Sequence, residues 1–413
     1  MKDHPDPSAD IMARLDRMAE ISESPRHLTR RCFTPEHRQI NDLVCAWMRD
    51  AGMEVREDAL GNVIGRYEGR VDGAPAIMLG SHVDTVIMAG KYDGGLGILS
   101  AIDCVRSLND RGIRFDCAIE VAGFSDEEGV RFQSTYLGSR ALAGTFDPGL
   151  LGRPDKDGVT LADAMGDFGL DPQRIRDAVR KPGELICYLE VHIEQGPVLE
   201  DEGLAVGAVS AISGANRMTV TVEGTAGHAG TVPMSARRDA LAAACECVMA
   251  VEQVAASRPN AVGTVGQISV APGATNVIPG RVTFSVDLRA ADDAVRRSAV
   301  GELEVRMQDI ASKRSVSVSV DHSHSADGVV CAPWIVSEIE MAMRELGHPP
   351  RSLPSGAGHD AAALAEITDV GMIFVRCAGG ISHSPDESIT EEDAKAGAHL
   401  LLRVVERIGA SRS

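Results

Sequence analysis

Ala76-Ile-Met-Leu-Gly80-Ser-His82-Val-Asp84-Thr-Val-Ile-Met-Ala-Gly90-Lys-Tyr-Asp93-Gly-Gly95 reads as a strand, then a turn carrying potential metal ligands, then the start of a helix. Ala76–Gly80 is short and apolar, as a buried strand is. Beyond Gly95, the residues Ile98, Ala101, Ile102 and Val105 recur at helical spacing as far as Leu108. Strand, chemistry-bearing loop and helix form the unit of an open α/β sheet, whose sites gather beyond the strand ends. His82 and Asp84 lie two apart on extended chain, so both side chains project to one side. The Asp84 carboxylate is therefore expected to orient the His82 imidazole without touching an ion. Asp93, just before a helix, has two readings: an N-cap, for which aspartate is favoured, or a bridging ligand beside His82.

The pattern recurs. Cys117–Phe124 is a second apolar strand and ends at Ser125-Asp-Glu127-Glu128-Gly. Ile186–Ile193 is a third, with His192 near its end in Glu190-Val-His-Ile-Glu-Gln-Gly, and His383 follows in Ile381-Ser-His-Ser-Pro. Singly, each has a bland reading: a solvated acidic turn, a satisfied core histidine, a loop histidine. Jointly they read as metal chemistry. Two imidazoles with a shared carboxylate suit one divalent cation, and the same carboxylate with another acid and a third imidazole suits a second. With a spare carboxylate alongside, such a nitrogen and oxygen donor set makes a hydrolytic centre. Glu127 and Glu128 are adjacent, so their side chains point apart, and one can bind metal while the other faces water.

The 413 residues are enough for two domains, each with its own core. Apolar content of 44% and charged content of 24% are ordinary for a globular chain, but aromatics at 3% leave the core to Ala, Val, Leu, Ile and Met. A net charge of −19 argues against a nucleic-acid surface, which needs a basic stripe. No apolar run is long enough to predict a membrane helix, and Met1-Lys-Asp-His-Pro-Asp-Pro7 has no apolar stretch resembling a signal peptide. The cysteines are odd in number and scattered through apolar segments, which reads as reduced, buried, cytoplasmic thiols. Cys245 and Cys247 fall on different faces of an expected helix.

The first third alternates helices and strands, beginning with a helix capped by Thr34-Pro35 and running to about residue 52. After Gly214 the character changes. Arg217–Glu223, Val282–Arg289 and Ser315–Val320 alternate apolar with polar, and they interleave with an Ala-rich helix from about Ala236 to Ala256 and a charged helix from about Asp293 to Lys313. This order predicts a small α+β domain resembling a ferredoxin-like sandwich. After about Asp327 the α/β pattern returns, with a helix near Trp334–Leu346, a strand Met372–Val375 and a last helix opened by Thr390-Glu-Glu-Asp. The expected organisation is an α/β catalytic domain with a mixed sheet (residues 1–213 and 328–413) into which an α+β lid and dimerisation domain (residues 214–327) is inserted.

The full set of motifs resembles the amidase/hydantoinase/carbamoylase family of dinuclear metallohydrolases, related to aminoacylase and carboxypeptidase. Beside the ligand segments, Gly227-His-Ala-Gly-Thr-Val-Pro-Met-Ser-Ala-Arg-Arg-Asp and Ser355-Gly-Ala-Gly-His-Asp-Ala carry the resemblance, as does His192 where the peptidase relatives usually have a carboxylate. The resemblance implies one cation on His82, Asp93 and His192 and a second on Asp93, Glu128 and His383. Zinc or manganese is expected there, with cobalt or nickel acceptable to the same donors. It further implies Glu127 as the base that takes a proton from the attacking water and returns it to the leaving nitrogen. His228 would stabilise the oxyanion, often reaching in from the partner subunit of a homodimer paired through the inserted domain. Asn276, Arg289, Gln195 and His359 would face a small anionic ureido substrate. Without the resemblance, His228 and Asn276 read as turn residues and Arg289 as a surface charge. The Phe124–Gly144 stretch looks most like allantoate amidohydrolases, with N-carbamoyl-L-amino acid hydrolases as the alternative. A metal site kept only for binding, and ordinary peptidase activity, are the remaining readings.

Overall fold

The computed structural model describes residues 10–412; the opening segment read above for a signal peptide lies outside the described residues. Two compact units emerge. The first comprises the described residues up to Ser210, Cys331–Leu353 and the chain from His359 onward, and the second Ala211–Val330 with Pro354–Gly358.

In the first unit, four parallel strands form the middle of a mixed sheet, in the spatial order Ala118–Phe124, Ala76–His82, Leu185–Ile193, Val370–Val375. Antiparallel strands Val63–Tyr67 and Val206–Ile212 flank them. The central strands are buried on both faces, which is why they are continuous apolar runs and not alternating ones. Helices Ile11–Ala19, Pro35–Asp50, Gly95–Asp110, Pro333–Glu345 and Glu391–Ser411 join these strands in one apolar core of mostly aliphatic side chains. Caps expected from sequence form: the Thr34 side chain accepts the His37 N–H, and that of Thr390 accepts the Asp393 N–H. Register then positions the chemistry. Leu79 lies opposite Leu189, so three residues further along the parallel pair His82 and His192 reach the carboxyl edge of the sheet side by side. His82 also stands opposite Phe124, the last residue before the acidic loop.

The second unit has a five-stranded antiparallel sheet with Gly214–Glu223 and Arg281–Ala290 at its centre and Ser317–Ala326 on one edge. The other side is split between Ala261–Thr264 and Ile268–Ala271, both paired to Arg281–Ala290. With helices Ala240–Ala256 and Asp293–Arg314 between the strands, this is the ferredoxin-like order, its second strand broken in two. Several element boundaries differ from the sequence reading by a few residues, most at two places in this unit. The Ala-rich helix begins at Ala240, not Ala236, because the Asp239 carboxylate caps the N–H groups of Leu241 and Ala242. The last strand begins at Ser317 and runs to Ala326, because Ser315 sits at φ +54 and closes the preceding helix. Cys247 is buried and Cys245 exposed, on opposite sides of their helix.

Arg296 ties three segments of this unit together. Its guanidinium, 1% exposed, donates to Asp293 at 3.1 Å and Asp327 at 2.6 Å and also to Asn216. Three partners in three directions need the planar fork of arginine. Arg296→Met is expected to lower stability by about 3 kcal/mol, and Arg296→Lys to recover little of it, as read by urea denaturation; equal midpoints for all three proteins would refute this role.

Candidate active site

The acidic loop after Phe124 is anchored at its first residue, Ser125. Ser125 N–H donates to Asn62 Oδ1 at 2.9 Å, and Asn62 is in turn held by Asp58 at 2.7 Å. The Phe33 N–H donates to His37 Nδ1 at 2.8 Å, which leaves Nε2 as the protonated nitrogen facing Ser125 Oγ at 3.3 Å. Burial, with the charges of Arg30 and Arg38, pulls the His37 pKa down to about 3, so this anchor stays neutral. His37 and Asn62 escaped the sequence reading because they contact the loop from distant segments; only the Thr34 cap hinted that His37 was fixed.

Asp84 does a different job from the one expected. Its main-chain carbonyl, not its carboxylate, accepts His82 Nδ1 at 3.0 Å. The carboxylate, 3.9 Å from that nitrogen, instead accepts the N–H groups of Glu127 at 3.0 Å and Glu128 at 3.2 Å. The turn after His82 brings the carbonyl, which is closer, onto the ring. Asp84 thus joins the His82 strand end to the acidic loop.

Asp93 is no cap. The residue at the N-cap is Gly94, with no side-chain hydrogen bond there, and the Asp93 carboxylate points at three imidazoles. Its Oδ1 is 3.2 Å from His82 Nε2 and 3.0 Å from His192 Nε2, while Oδ2 is 3.3 Å from His383 Nε2. His383 Nε2 is also 3.4 Å from Glu128 Oε1. Among the described residues, four groups have donor atoms within 4.8 Å of one another: His82, Asp93 and His192; Asp93, Glu128 and His383; His82, Glu127 and Glu128; and Glu190, His192 and His359.

The donor set can be tested for fit to a cation. His192 Nδ1, like His82 Nδ1, is hydrogen-bonded to a carbonyl, that of Ile193 at 2.9 Å. A carbonyl only accepts, so in a neutral ring the proton is on Nδ1 and the Nε2 lone pair faces the Asp93 carboxylate. Lone pair against carboxylate oxygen is repulsive. The arrangement is favourable only if positive charge stands between them, as a second proton on each ring or as a metal ion. Burial lowers the basicity of both imidazoles, but contact with Asp93 and the nearby carboxylates outweigh it and raise both pKa values. Burial, then Asp93, pushes Glu128 up to about 7, while burial, then Glu128 and Asp360, pushes Glu127 well above the carboxylate range. The residues fit divalent cations.

The remaining candidates divide between the units. In the first, Gln195 donates to Asp93 Oδ2 at 2.9 Å and so touches the ligand set directly. His359 is buried, its ring edge-on to His192 with centroids 4.5 Å apart, and it stands in one donor group with His192 and Glu190. In the second, Val277 pairs with His228, and Ala229 N–H donates to the Asn276 carbonyl at 2.9 Å, so His228 and Asn276 are neighbours on one exposed ribbon. Arg289 is held by both Asp287 oxygens at 2.8 and 3.0 Å and by the Gly356 carbonyl at 2.8 Å.

Gly94, at φ +68, allows Asp93 its approach: a Cβ there would lie 2.5 Å from the His82 carbonyl oxygen and 2.6 Å from His82 Cε1. Gly94→Ala is therefore expected to leave a folded protein, by circular dichroism, with metal content reduced well below that of the wild type. Full metal retention in this variant would contradict the packing argument. Chelation of the wild type should lower the melting temperature, and zinc or manganese should restore it, since a ligand bound at 100 times its dissociation constant adds about 2.7 kcal/mol.

Residues 78–407 match Peptidase family M20/M25/M40. The chain is 45% identical over 396 residues to the N-carbamoyl-L-amino acid amidohydrolase of Geobacillus stearothermophilus, covering 96% of this chain and 97% of the relative. It is 41% identical over 428 residues to the allantoate deiminase of Arabidopsis thaliana, covering 96% and 82%. The crystal structure of a hydantoinase/carbamoylase family amidase from Burkholderia multivorans superposes with a TM-score of 0.90 at 36% identity, covering 98% and 97%. With a metal-dependent family matched along most of its length and a donor cluster to serve it, the chain is a hydrolase and belongs to Peptidase family M20/M25/M40, among the amidases of hydantoinase/carbamoylase type.

Proposed function

We propose that the protein hydrolyses the linear ureido group of a small carboxylate, with allantoate as the first substrate to test and N-carbamoyl-L-amino acids as the second. The observation that carries the reading is the Asp93 carboxylate turned to His82 and His192 through one oxygen and to His383 through the other. The allantoate deiminase and N-carbamoyl-L-amino acid amidohydrolase relatives support both substrates.

In this reading His82, Asp93 and His192 hold one cation and Asp93, Glu128 and His383 another. Such ions supply Lewis acidity, polarising the ureido carbonyl and lowering the pKa of water from about 15.7 toward 7. Glu127, buried beside His82 and Glu128, accepts the proton of the water that adds to the carbonyl carbon. Its elevated pKa suits the return of that proton to the leaving nitrogen, which departs as the C–N bond breaks. His228 donates to the carbonyl oxygen as charge develops there. The Arg289 guanidinium, set by Asp287, pairs with the substrate carboxylate. Free thiols throughout the described residues accord with a reducing compartment, and no helix among them is long and apolar enough to cross a membrane.

Ammonia release by chelated protein reloaded with manganese or zinc tests the reading on allantoate beside a panel of N-carbamoyl-L-amino acids. Turnover of one set assigns the substrate; silence on both, with metal bound, refutes the proposal in favour of a binding role. Glu127→Gln should keep its metals and lose at least about a hundredfold in kcat.

Because His228 and Arg289 belong to a different unit from the ligands, we extend the proposal to a homodimer paired through the second unit, which acts as a lid. Light scattering should give a dimer. A fully active monomer would remove this part of the proposal.

A further inference from the structure

The donor atoms on the two sides of Asp93 are fixed by different means. His82 and His192 stand on adjacent strands of the sheet, with side chains 2% exposed, and each Nδ1 is fixed by a main-chain carbonyl. Nothing of that kind supports His383. It lies in a loop after the last strand, at φ +55, with its side chain 50% exposed. The loop is instead tied to Asp93 by Glu387, a residue so far unassigned. Glu387 Oε1 accepts the N–H of Tyr92 at 2.8 Å, across 295 residues of sequence, and that of Asp93 at 3.1 Å. Its Oε2 accepts the Ser382 hydroxyl at 2.9 Å, one residue before His383. Ser382 Oγ is also 3.2 Å from Asp93 Oδ2 and receives Gln195 Nε2 at 3.1 Å. The bonds to one carboxylate, 5% exposed, therefore run from both loops, and charge-assisted bonds of this kind are the stronger class. Gly90 makes room for it: a Cβ there would meet Glu387 Cδ at 2.2 Å and Oε1 at 2.3 Å.

We propose that Glu387 is a positioning residue that latches the His383 loop to the Asp93 loop, so that the Asp93, Glu128 and His383 position is complete only while this latch is closed. The inference rests on the dinuclear reading above and goes beyond it in ranking the two positions. The His82, Asp93 and His192 position is built on the sheet and binds the tighter equivalent. The other depends on the latch and binds the weaker one.

The hydrogen-bond pattern distinguishes the substitutions. In Glu387→Gln the amide oxygen still accepts the Tyr92 and Asp93 N–H groups. The amide nitrogen donates to Ser382 Oγ, whose single proton then turns to Asp93 Oδ2. Every contact survives. Glu387→Ala removes them all, and Gly90→Ala displaces the Glu387 carboxylate without altering it.

The experiment is titration of the chelator-treated full-length protein with zinc against a competing chromophoric chelator, with bound metal counted by mass spectrometry. Wild type should bind two equivalents of unequal affinity. E387A and G90A should hold the first within about threefold of wild type and weaken the second by about 10- to 100-fold, the range for lost outer-shell partners. E387Q should resemble wild type. Two equivalents of undiminished affinity in E387A and G90A overturn the proposal, as does equal weakening of both equivalents, or an E387Q as defective as E387A. Loss of the fold in both E387A and G90A, by circular dichroism, also overturns it, since the contact would then serve the whole unit. A wild type that binds fewer than two equivalents instead removes the dinuclear reading on which the inference stands.

Discussion

The carboxylate of Asp93, in contact with three imidazoles at once, is the constraint around which the first unit is organised. Desolvating a carboxylate is costly unless positive charge meets it. Here the charge has to stand in the short gaps between Asp93 and the ring nitrogens, because both buried rings already spend their other nitrogen on a carbonyl. A loop can make such contacts only if the chain comes very close, which is why a glycine follows Asp93, its missing Cβ leaving space for the His82 ring and carbonyl.

The supports of the site divide by charge. Ser125, at the root of the acidic loop, is held by the neutral amide of Asn62 and a neutral His37. A cationic anchor there would pair with Glu127 or Glu128 and compete with a metal for them. Asp84 grips the same loop by accepting main-chain N–H groups, which leaves the glutamate side chains uncommitted. Carboxylates thus act both as candidate ligands and as struts, and what separates the two roles is whether the oxygens face imidazole nitrogens or main-chain amides. Asp93 is of the first kind, Asp84 and Glu387 of the second.

Much of this was legible before any coordinates. Apolar runs located the central strands, and glycine-marked turns located the histidines and acids, because a buried parallel strand and the loop beyond it both constrain composition strongly. Alternation in the second unit was equally clear, since one sheet face packs on two helices and the other stays polar. The differences have local causes. Asp93 offers a cap reading because a helix does follow it, and the arrival of three histidines from other segments shows where its side chain points. The Ala-rich helix was drawn too long because alanine favours helix on either side of the Asp239 cap, and the last strand too short because its exposed end, Asp321–Ala326, no longer alternates.

Sequence by itself determined the kind of donors available, their attachment to strand ends and the two-unit organisation of the pattern, because hydrophobic periodicity and residue chemistry act over a few neighbours. Tertiary structure alone decided which oxygen of Asp93 faces which ring, that His359 packs edge-on against His192, that a carbonyl and not a carboxylate orients His82, and that Glu387 spans two loops. The His82 contact depends on the local turn at Asp84, and the others on strand register and on contacts between segments far apart in the chain, 295 residues apart for Tyr92 and Glu387. No local pattern encodes a distance of 3 Å between groups so remote in the chain; only the packed sheet, with its fixed register, brings them together.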